Sequence, residues 1–467
     1  MSTRRVAVIG AGVAGLAAAL RVRERDPAAE VVVFEAAARP GGTVATERTD
    51  GFVMEVGADS LITEKPWGVA LAERHGFADQ LIPTNPAERR TYVVHDGALH
   101  PLPEGFLMLA PTALWPLLAS PLFSVRGKLR MGLDLILPRG SGRDDESLGA
   151  FVRRRLGREA LDRVADPLIG GIYTADPERL SLAASMPRFL EFERRHRSVI
   201  LGLRAGTSAA VRHGAGARYG LFASHRAGMG AFVDEMVRRL PAGALRLRTP
   251  VEAVARDRER WQLLAGGTPI DADAVIVSVP AYVAARLLAS VDGGLARALE
   301  AIEYASSVTV TLGFRAADVA GRLHGFGFVV PHTERRPLIA CTYSSRKYPG
   351  RAPDGFELVR AYLGGARRPE MVERSDAELL SAVRQELRSL LGITAEPVLT
   401  HVGRHRRAMP QYAVGHLERV AAIERMVEPW SGLVLAGAAL RGVGIPDCIR
   451  SGETAAEAVL DAPPPAR

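Results

Sequence analysis

The chain has 467 residues, 47% hydrophobic and 24% charged: too long for one core, and ordinary for a globular protein of two or three domains. Its net charge of +8 comes without a dense basic run interleaved with aromatics, so nucleic acid is not an expected partner. Two cysteines far apart, Cys341 and Cys448, exclude a disulfide framework and a zinc site, so no metal is expected and the compartment reads as a reducing cytosol.

The first element is Val6–Ile9, an unbroken apolar run of the kind found in a strand buried on both faces, and too short for a signal peptide. Gly10-Ala11-Gly12-Val13-Ala14-Gly15 follows and leads into a helix over Val13–Arg25. Gly10 permits the tight turn, Gly12 lets backbone approach a pyrophosphate, and Gly15 lets helix pack on strand. The pyrophosphate is expected on the helix N-terminus, where free N–H groups and the dipole favour an anion. Val31–Phe34 is the second strand, and Glu35 at its end is placed to accept from the ribose hydroxyls and repel a 2′-phosphate. This register predicts a bound dinucleotide, NAD or FAD, against the plainer reading of a glycine turn without a ligand. A second glycine turn, Arg39-Pro40-Gly41-Gly42, flanked by Ala36 and Thr43, shifts the balance to FAD.

Phe106–Phe123 is strongly apolar, but Pro111, Pro116 and Pro121 cut it into pieces too short to span a bilayer, and no window approaches 18 apolar residues. It reads as tunnel lining or core, with contact with one leaflet as the alternative, Arg126, Lys128 and Arg130 then meeting the headgroups. Residues 101–221 read as mainly helical. Leu148, Phe151, Val152, Leu156, Leu161 and Val164 share a face before Asp166-Pro167 ends the helix. Further on, Phe232, Met236, Val237 and Leu240 mark a helix, and Leu245–Leu247, Val251–Val254, Trp261–Leu264 and Ala274–Val279 mark strands. Strands are expected again at Val308–Phe314, Phe326–Val330 and Glu357–Leu363, with a helix at Asp376–Leu391. The end of the chain gives a buried strand, Leu433–Ala436, a glycine turn through Gly437, Ala438 and Gly442-Val443-Gly444-Ile445, and a helix over Ser451–Leu460.

Nucleotide-fold character thus appears at the start, middle and end, with two insertions between. The fold class is α/β and α+β. A discontinuous Rossmann-like FAD domain (1–88, 222–280 and 405–461) is expected to carry an inserted substrate domain of mixed sheet plus helices (89–100 and 281–404). A helical cap or membrane-associated domain (101–221) and a disordered tail (462–467) complete it. Such threading is typical of large flavoenzymes. The closing turn and helix N-terminus would aim backbone dipoles at the pyrimidine edge of the flavin.

Further stretches carry a resemblance. They are Gly57-Ala58-Asp59-Ser60, Asp166-Pro-Leu168-Ile-Gly-Gly171-Ile-Tyr173, Gly325-Phe326-Gly327-Phe-Val329-Val-Pro331, Tyr348-Pro-Gly-Arg, Leu363-Gly-Gly365, Met409-Pro-Gln411-Tyr412 with His416, and Gly442–Ile449. In this order, and over nearly the whole chain, the sequence resembles the oxygen-dependent, FAD-containing protoporphyrinogen/coproporphyrinogen oxidases of the flavin amine oxidase superfamily. The resemblance implies non-covalent FAD held by Gly10–Gly15, Glu35, Gly42, Gly57–Ser60, the backbone of Val251, Ala438 and Val443–Ile445. It implies a substrate cavity formed by Leu168, Gly171, Phe326, Val329 and Tyr362, with Arg90 pairing with a propionate. Relatives often carry tryptophan where His405 stands, and the superfamily often has Asn, Asp or Glu at Ala438.

The implied reaction takes a porphyrinogen to the porphyrin in three two-electron steps, protoporphyrinogen IX or coproporphyrinogen III being the substrate. Flavin N5 takes the hydride and O2 is reduced to hydrogen peroxide, so no side-chain acid or base is needed. His213, His225, His405 and His416 then read as structural. The resemblance also allows a homodimer, hand-off to a ferrochelatase, and a cytoplasmic location with peripheral contact at the membrane's cytoplasmic face. The alternatives are a flavin amine oxidase or carotenoid desaturase and, in another class, a non-catalytic flavin-fold tetrapyrrole carrier or scaffold.

Overall fold

In the computed structural model, which describes residues 4–107, 110–111, 114–140, 145–212 and 221–461, three distant stretches of chain build one five-stranded parallel sheet. Its strands run in the order Leu245–Arg246, Glu30–Phe34, Arg5–Ile9, Ala274–Val277 and Leu433–Leu435. Each inner strand is a short run of Val, Ile and Ala buried on both faces, as a parallel sheet between two layers requires. One layer is the Val13–Arg25 helix with the closing helix. The other holds Trp261, Leu263 and the helices Ala281–Leu288 and Gly293–Glu300. These two helices therefore pack on the parallel sheet, although residues from 281 onward read by sequence as part of the inserted unit.

A seven-stranded sheet lies beside it, in the order Leu399–Pro410, Tyr304–Arg315, Phe356–Gly364, Leu338–Tyr343, Gly327–Val329, Thr91–His95 and Ala98–Pro101. Neighbours are antiparallel except Gly327–Val329 with Thr91–His95. Position 405 falls inside the first of these strands, so the stretch assigned by sequence to the FAD unit from 405 begins within this sheet. Period-two alternation sends Val308, Val310, Leu312, Val359, Ala361 and Leu363 to one face, where the Asp376–Leu391 helix supplies Leu379, Val383 and Leu387. That helix starts on a Ser375/Glu378 capping box and ends at Gly392 in the left-handed conformation. The opposite face carries Thr309, Thr311, Arg360, Tyr362, Ala340 and Val329, and it is the one turned toward the FAD-type motifs.

The helical region packs Leu148, Phe151, Val152, Leu156, Leu161 and Val164 into one core, as their spacing predicts. The sequence expectation that Asp166-Pro167 ends this helix is corrected. A π-helical turn, Leu161–Ala165, runs directly into the helix Asp166–Tyr173, whose first turn holds Pro167. Pro167, which has no N–H to donate, falls where the π-helical hydrogen-bond pattern gives way to the α-helical one. The closing helix is corrected in the same way: it spans Ile445–Asp461, beginning six residues before the expected Ser451, with Pro446 and Asp447 in its first turn. The tail 462–467 and His213 lie outside the described residues.

Candidate functional site

The dinucleotide cradle is assembled by hydrogen bonds that reach far along the chain. The Gly10 N–H donates to the Phe34 carbonyl at 2.8 Å, and the Ser278 hydroxyl donates to the carbonyls of Ile9 and Gly10 at 2.9 and 3.0 Å. Gly12 caps the first helix without a side chain. The two helix-turn glycines differ sharply. A Cβ on Gly15 would sit 2.0 Å from the Gly10 carbonyl oxygen, whereas a Cβ on Gly12 would meet nothing within 4 Å. Gly15 is thus required by packing, and Gly12 opens onto space where a ligand backbone can approach. Glu35 accepts from the Ala11 and Ala37 N–H groups at 2.8 Å each, which fixes its carboxylate at the strand end where a ribose would lie. Thr249 donates its N–H to the Glu35 carbonyl and so brings Val251 to the same end of the site.

The second glycine turn closes over the first. Gly41 donates to the Ala11 carbonyl at 2.8 Å, and Arg39 is hydrogen-bonded to the carbonyls of Pro40, Gly42 and Val44. Gly57 abuts the turn so closely that a Cβ there would fall 1.6 Å from the Thr43 carbonyl oxygen. At the far end of the chain, a Cβ on Gly437 would lie 3.8 Å from the Ala14 side chain, so the first and last glycine turns meet.

Two residues of the Met409–His416 stretch explain how the last turn is held. The Tyr412 hydroxyl donates to the Ala438 carbonyl at 2.6 Å and accepts from the Gly442 N–H at 2.7 Å. His416 stacks on Tyr412 with ring centroids 4.0 Å apart, and its Nε2 contacts the Leu440 carbonyl at 2.8 Å. Burial pushes the His416 pKa below its ordinary value, so it serves as a neutral donor.

The sequence-nominated substrate residues fall into two groups. Leu168, Val329, Tyr362 and the C-terminal Val443 join one apolar cluster with Ala340 and Tyr412. Gly171 sits over Val329 and Ala340: a Cβ on it would lie 4.0 Å from each of these side chains. Phe326 is half-buried outside that cluster and is tied to Arg90 instead, donating its N–H to the Arg90 carbonyl at 2.7 Å. The Arg90 side chain is exposed.

Sequence reasoning named Asp59 but missed the two cations packed around it on this same face. Lys347 pairs with Asp59 at 2.8 Å, and Arg360, 3% exposed, donates to the Val56 and Gly57 carbonyls at 2.8 and 2.6 Å. Burial opposes ionisation of Asp59, but Lys347 and Arg360 outweigh it and hold its carboxyl well below the usual range. The available signal was an arginine in the otherwise apolar strand FELVRAYLG. Lys65 reaches both carboxylate oxygens of Asp447 at 2.7 Å beside the closing helix N-terminus.

With this geometry in place, the comparisons are decisive. The family described as flavin containing amine oxidoreductase matches residues 13–460. The chain belongs to that family. Its cofactor is FAD, which suits a cradle with an open Gly12 and an acidic strand end. Within the family, the chain is 34% identical to coproporphyrinogen III oxidase of Bacillus subtilis, covering 98% of each chain. It is 37% identical to that of Propionibacterium freudenreichii (97% of this chain, 90% of the relative) and 31% identical to human protoporphyrinogen oxidase (99% of each). A crystal structure from Exiguobacterium sp. 255-15, assigned as a protoporphyrinogen oxidase, superposes with a TM-score of 0.87 at 31% identity, over 98% of this chain and 99% of the other. Cyclohexylamine oxidase of Brevibacterium oxydans, at 16% identity and a TM-score of 0.70 (98% and 99% covered), shares the fold.

Proposed function

We propose that this flavin-containing oxidoreductase oxidises a porphyrinogen to the corresponding porphyrin in porphyrin biosynthesis. The observation that carries the reading is the shared apolar cluster of Leu168, Val329, Tyr362 and Val443. It joins helix, sheet and C-terminal glycine turn in one apolar surface, of the kind that can hold the hydrocarbon face of a tetrapyrrole. FAD, when bound, supplies the two-electron acceptor that each step of such an oxidation needs.

The protein's own residues hold and orient. Gly10–Gly15 and the N-terminus of the Val13–Arg25 helix receive the pyrophosphate; Ala11, Val13 and Ala14 contribute backbone there, and Glu35, with Ala36, the ribose. Arg39, Gly42 and Thr43 close over the cradle, Gly57, Ala58, Asp59 and Ser60 border the ring system, and Val251 meets the adenine. Gly437, Ala438, Val443, Gly444 and Ile445 present backbone dipoles from the far side. Leu168, Gly171, Val329 and Tyr362 flank the substrate, with Phe326 and Arg90 at its rim, where a guanidinium can meet a propionate. Burial and the nearby Arg360 charge lower the His405 pKa, and burial lowers that of His225, which favours the neutral imidazole; neither is assigned a step in the reaction.

Coproporphyrinogen III, with four carboxylates, is the favoured substrate. The bacterial relatives named for it are 32–37% identical, against 29–31% for those named for protoporphyrinogen. Molecular oxygen is the proposed acceptor, and a homodimer and hand-off to a ferrochelatase belong to the same reading. Peripheral contact with the cytoplasmic face of the membrane is supported by Trp115, Val125, Leu129 and Ile136, which are 69–79% exposed beside the exposed Arg126. Lys128 and Arg130, expected at the headgroups, instead donate to backbone carbonyls of Leu118 and of residues 153–155. Among the described residues no helix is long and apolar enough to cross a membrane. The test is aerobic turnover of the two porphyrinogens in parallel, followed by porphyrin fluorescence and peroxide. Rates no faster than autoxidation with either would overturn the proposal.

A further inference from the structure

The Asp59–Lys347–Arg360 set has one more cation than it has carboxylates. Asp59 is engaged by Lys347 and by the Ser60 hydroxyl at 2.6 Å. Arg360 donates to two backbone carbonyls, stacks over the Tyr362 ring at 4.8 Å, and its Nε is buried with no hydrogen-bond partner. Its charge is therefore not cancelled within the set. Other charged neighbours do not cancel it either. Glu55 faces Arg351 at 3.4 Å, Glu47 faces His401 at 3.2 Å, and Arg39 adds a second cation on the cradle side. Four further polar atoms on the same sheet face, Thr309 Oγ1, Thr311 Oγ1, His401 Nε2 and His405 Nε2, are also buried without partners, and those of Thr309 and His405 lie beside Gly403. A buried strip of unbalanced positive charge and unpartnered polar atoms is costly to a fold unless something anionic or polar lies against it.

Position says what that is. Arg360 holds the carbonyl of Gly57, and Gly57 is pressed on Thr43 of the second glycine turn. On its other side Arg360 touches Tyr362, which shares a cluster with Val443 of the closing turn. Arg360 thus lies between the two segments that border the flavin ring.

We propose that Arg360 is a positioning residue that sets the electron affinity of the bound flavin, its uncancelled charge favouring the two-electron-reduced, anionic form over the oxidised form. It does so while fixing the 56–60 segment, with Lys347 and Asp59 setting how much of the charge is felt. Charge placed in advance in a partly desolvated site acts on the reduced cofactor without reorganisation. The inference rests on the reading that residues 57–60 border the flavin.

The flavin-loaded protein is titrated with sulfite, whose binding to oxidised flavin bleaches the visible band and needs the same stabilisation of negative charge. Midpoint potentials are measured alongside. Arg360→Gln is expected to weaken sulfite binding on the order of tenfold and to make the potential more negative, whereas Arg360→Lys stays close to the parent. Unchanged sulfite affinity and potential in flavin-loaded Arg360→Gln overturn the proposal. If that variant does not retain FAD, Asp59→Asn decides, because it adds one net positive charge to the set. Tighter sulfite binding then supports the proposal, and no change or weaker binding overturns it. A parent protein that purifies without flavin would instead bring down the cofactor assignment on which the inference stands.

Discussion

The Tyr412 hydroxyl bridges the Ala438 carbonyl and the Gly442 N–H, at 2.6 and 2.7 Å, and so fixes the backbone turn between the last strand and the closing helix. Removing that oxygen leaves a half-buried donor and a half-buried acceptor without this partner, a cost of up to about 1–3 kcal/mol for each such group. Tyr412→Phe is therefore expected to fold and to bind FAD roughly tenfold or more weakly. Flavin released on dilution, followed by fluorescence, checks this; parent-like retention would mean the turn is held by other contacts.

Gly12 and Gly15 separate ligand space from packing. Gly12→Ala places its methyl where the protein offers nothing within 4 Å, so the fold survives while the approach of the pyrophosphate is blocked. The purified variant should be colourless and cooperatively folded. Gly15→Ala drives a methyl into the Gly10 carbonyl oxygen and should lose about 1–3 kcal/mol or more of stability, read by thermal denaturation.

Buried histidines make stability depend on pH in one direction. His225, His405 and His416 all have folded pKa values pushed below the ordinary 6.5, chiefly by burial. The unfolded chain therefore binds protons first as pH falls. The stability they contribute is complete above about pH 6.5 and is lost as pH drops toward the depressed folded values. The unfolding temperature should fall between about pH 7 and 5, and His416→Gln should flatten that slope. A slope of opposite sign would contradict the burial seen for these rings.

The exposed apolar segment gives a surface test. Trp115→Ala with Leu129→Ser should reduce co-sedimentation with anionic vesicles while leaving turnover of free substrate unchanged. Equal sedimentation of parent and variant would remove the membrane proposal.

The sequence carried the local part of this structure well. The first helix spans Val13–Arg25 and the later one Asp376–Leu391, the bounds expected from the sequence. Glycine spacing marked the cradle because the turn, the close packing of Gly15 and the open side of Gly12 all act within a few residues. What stayed hidden depends on long-range pairing. Lys347 and Asp59 are 288 residues apart, and nothing near either one signals the other. Pro167 misled because proline ordinarily ends a helix from within, whereas here it sits where a π-helical turn passes into the next α-helix, a change of hydrogen-bond pattern that sequence alone does not show. Phe326, grouped with Val329 by the resemblance, is hydrogen-bonded through its backbone to Arg90 and stands outside the cluster that holds Val329.

The central claim, that the Leu168/Val329/Tyr362/Val443 cluster holds a porphyrinogen against the flavin, is met most directly by anaerobic single turnover. Flavin-loaded protein is mixed with coproporphyrinogen III, and flavin absorbance and porphyrin fluorescence are followed together. The account predicts loss of the flavin band coupled to porphyrin-type products, with Tyr362→Ala slowing that step at undiminished FAD content. A flavin that stays oxidised with both coproporphyrinogen III and protoporphyrinogen IX would contradict it.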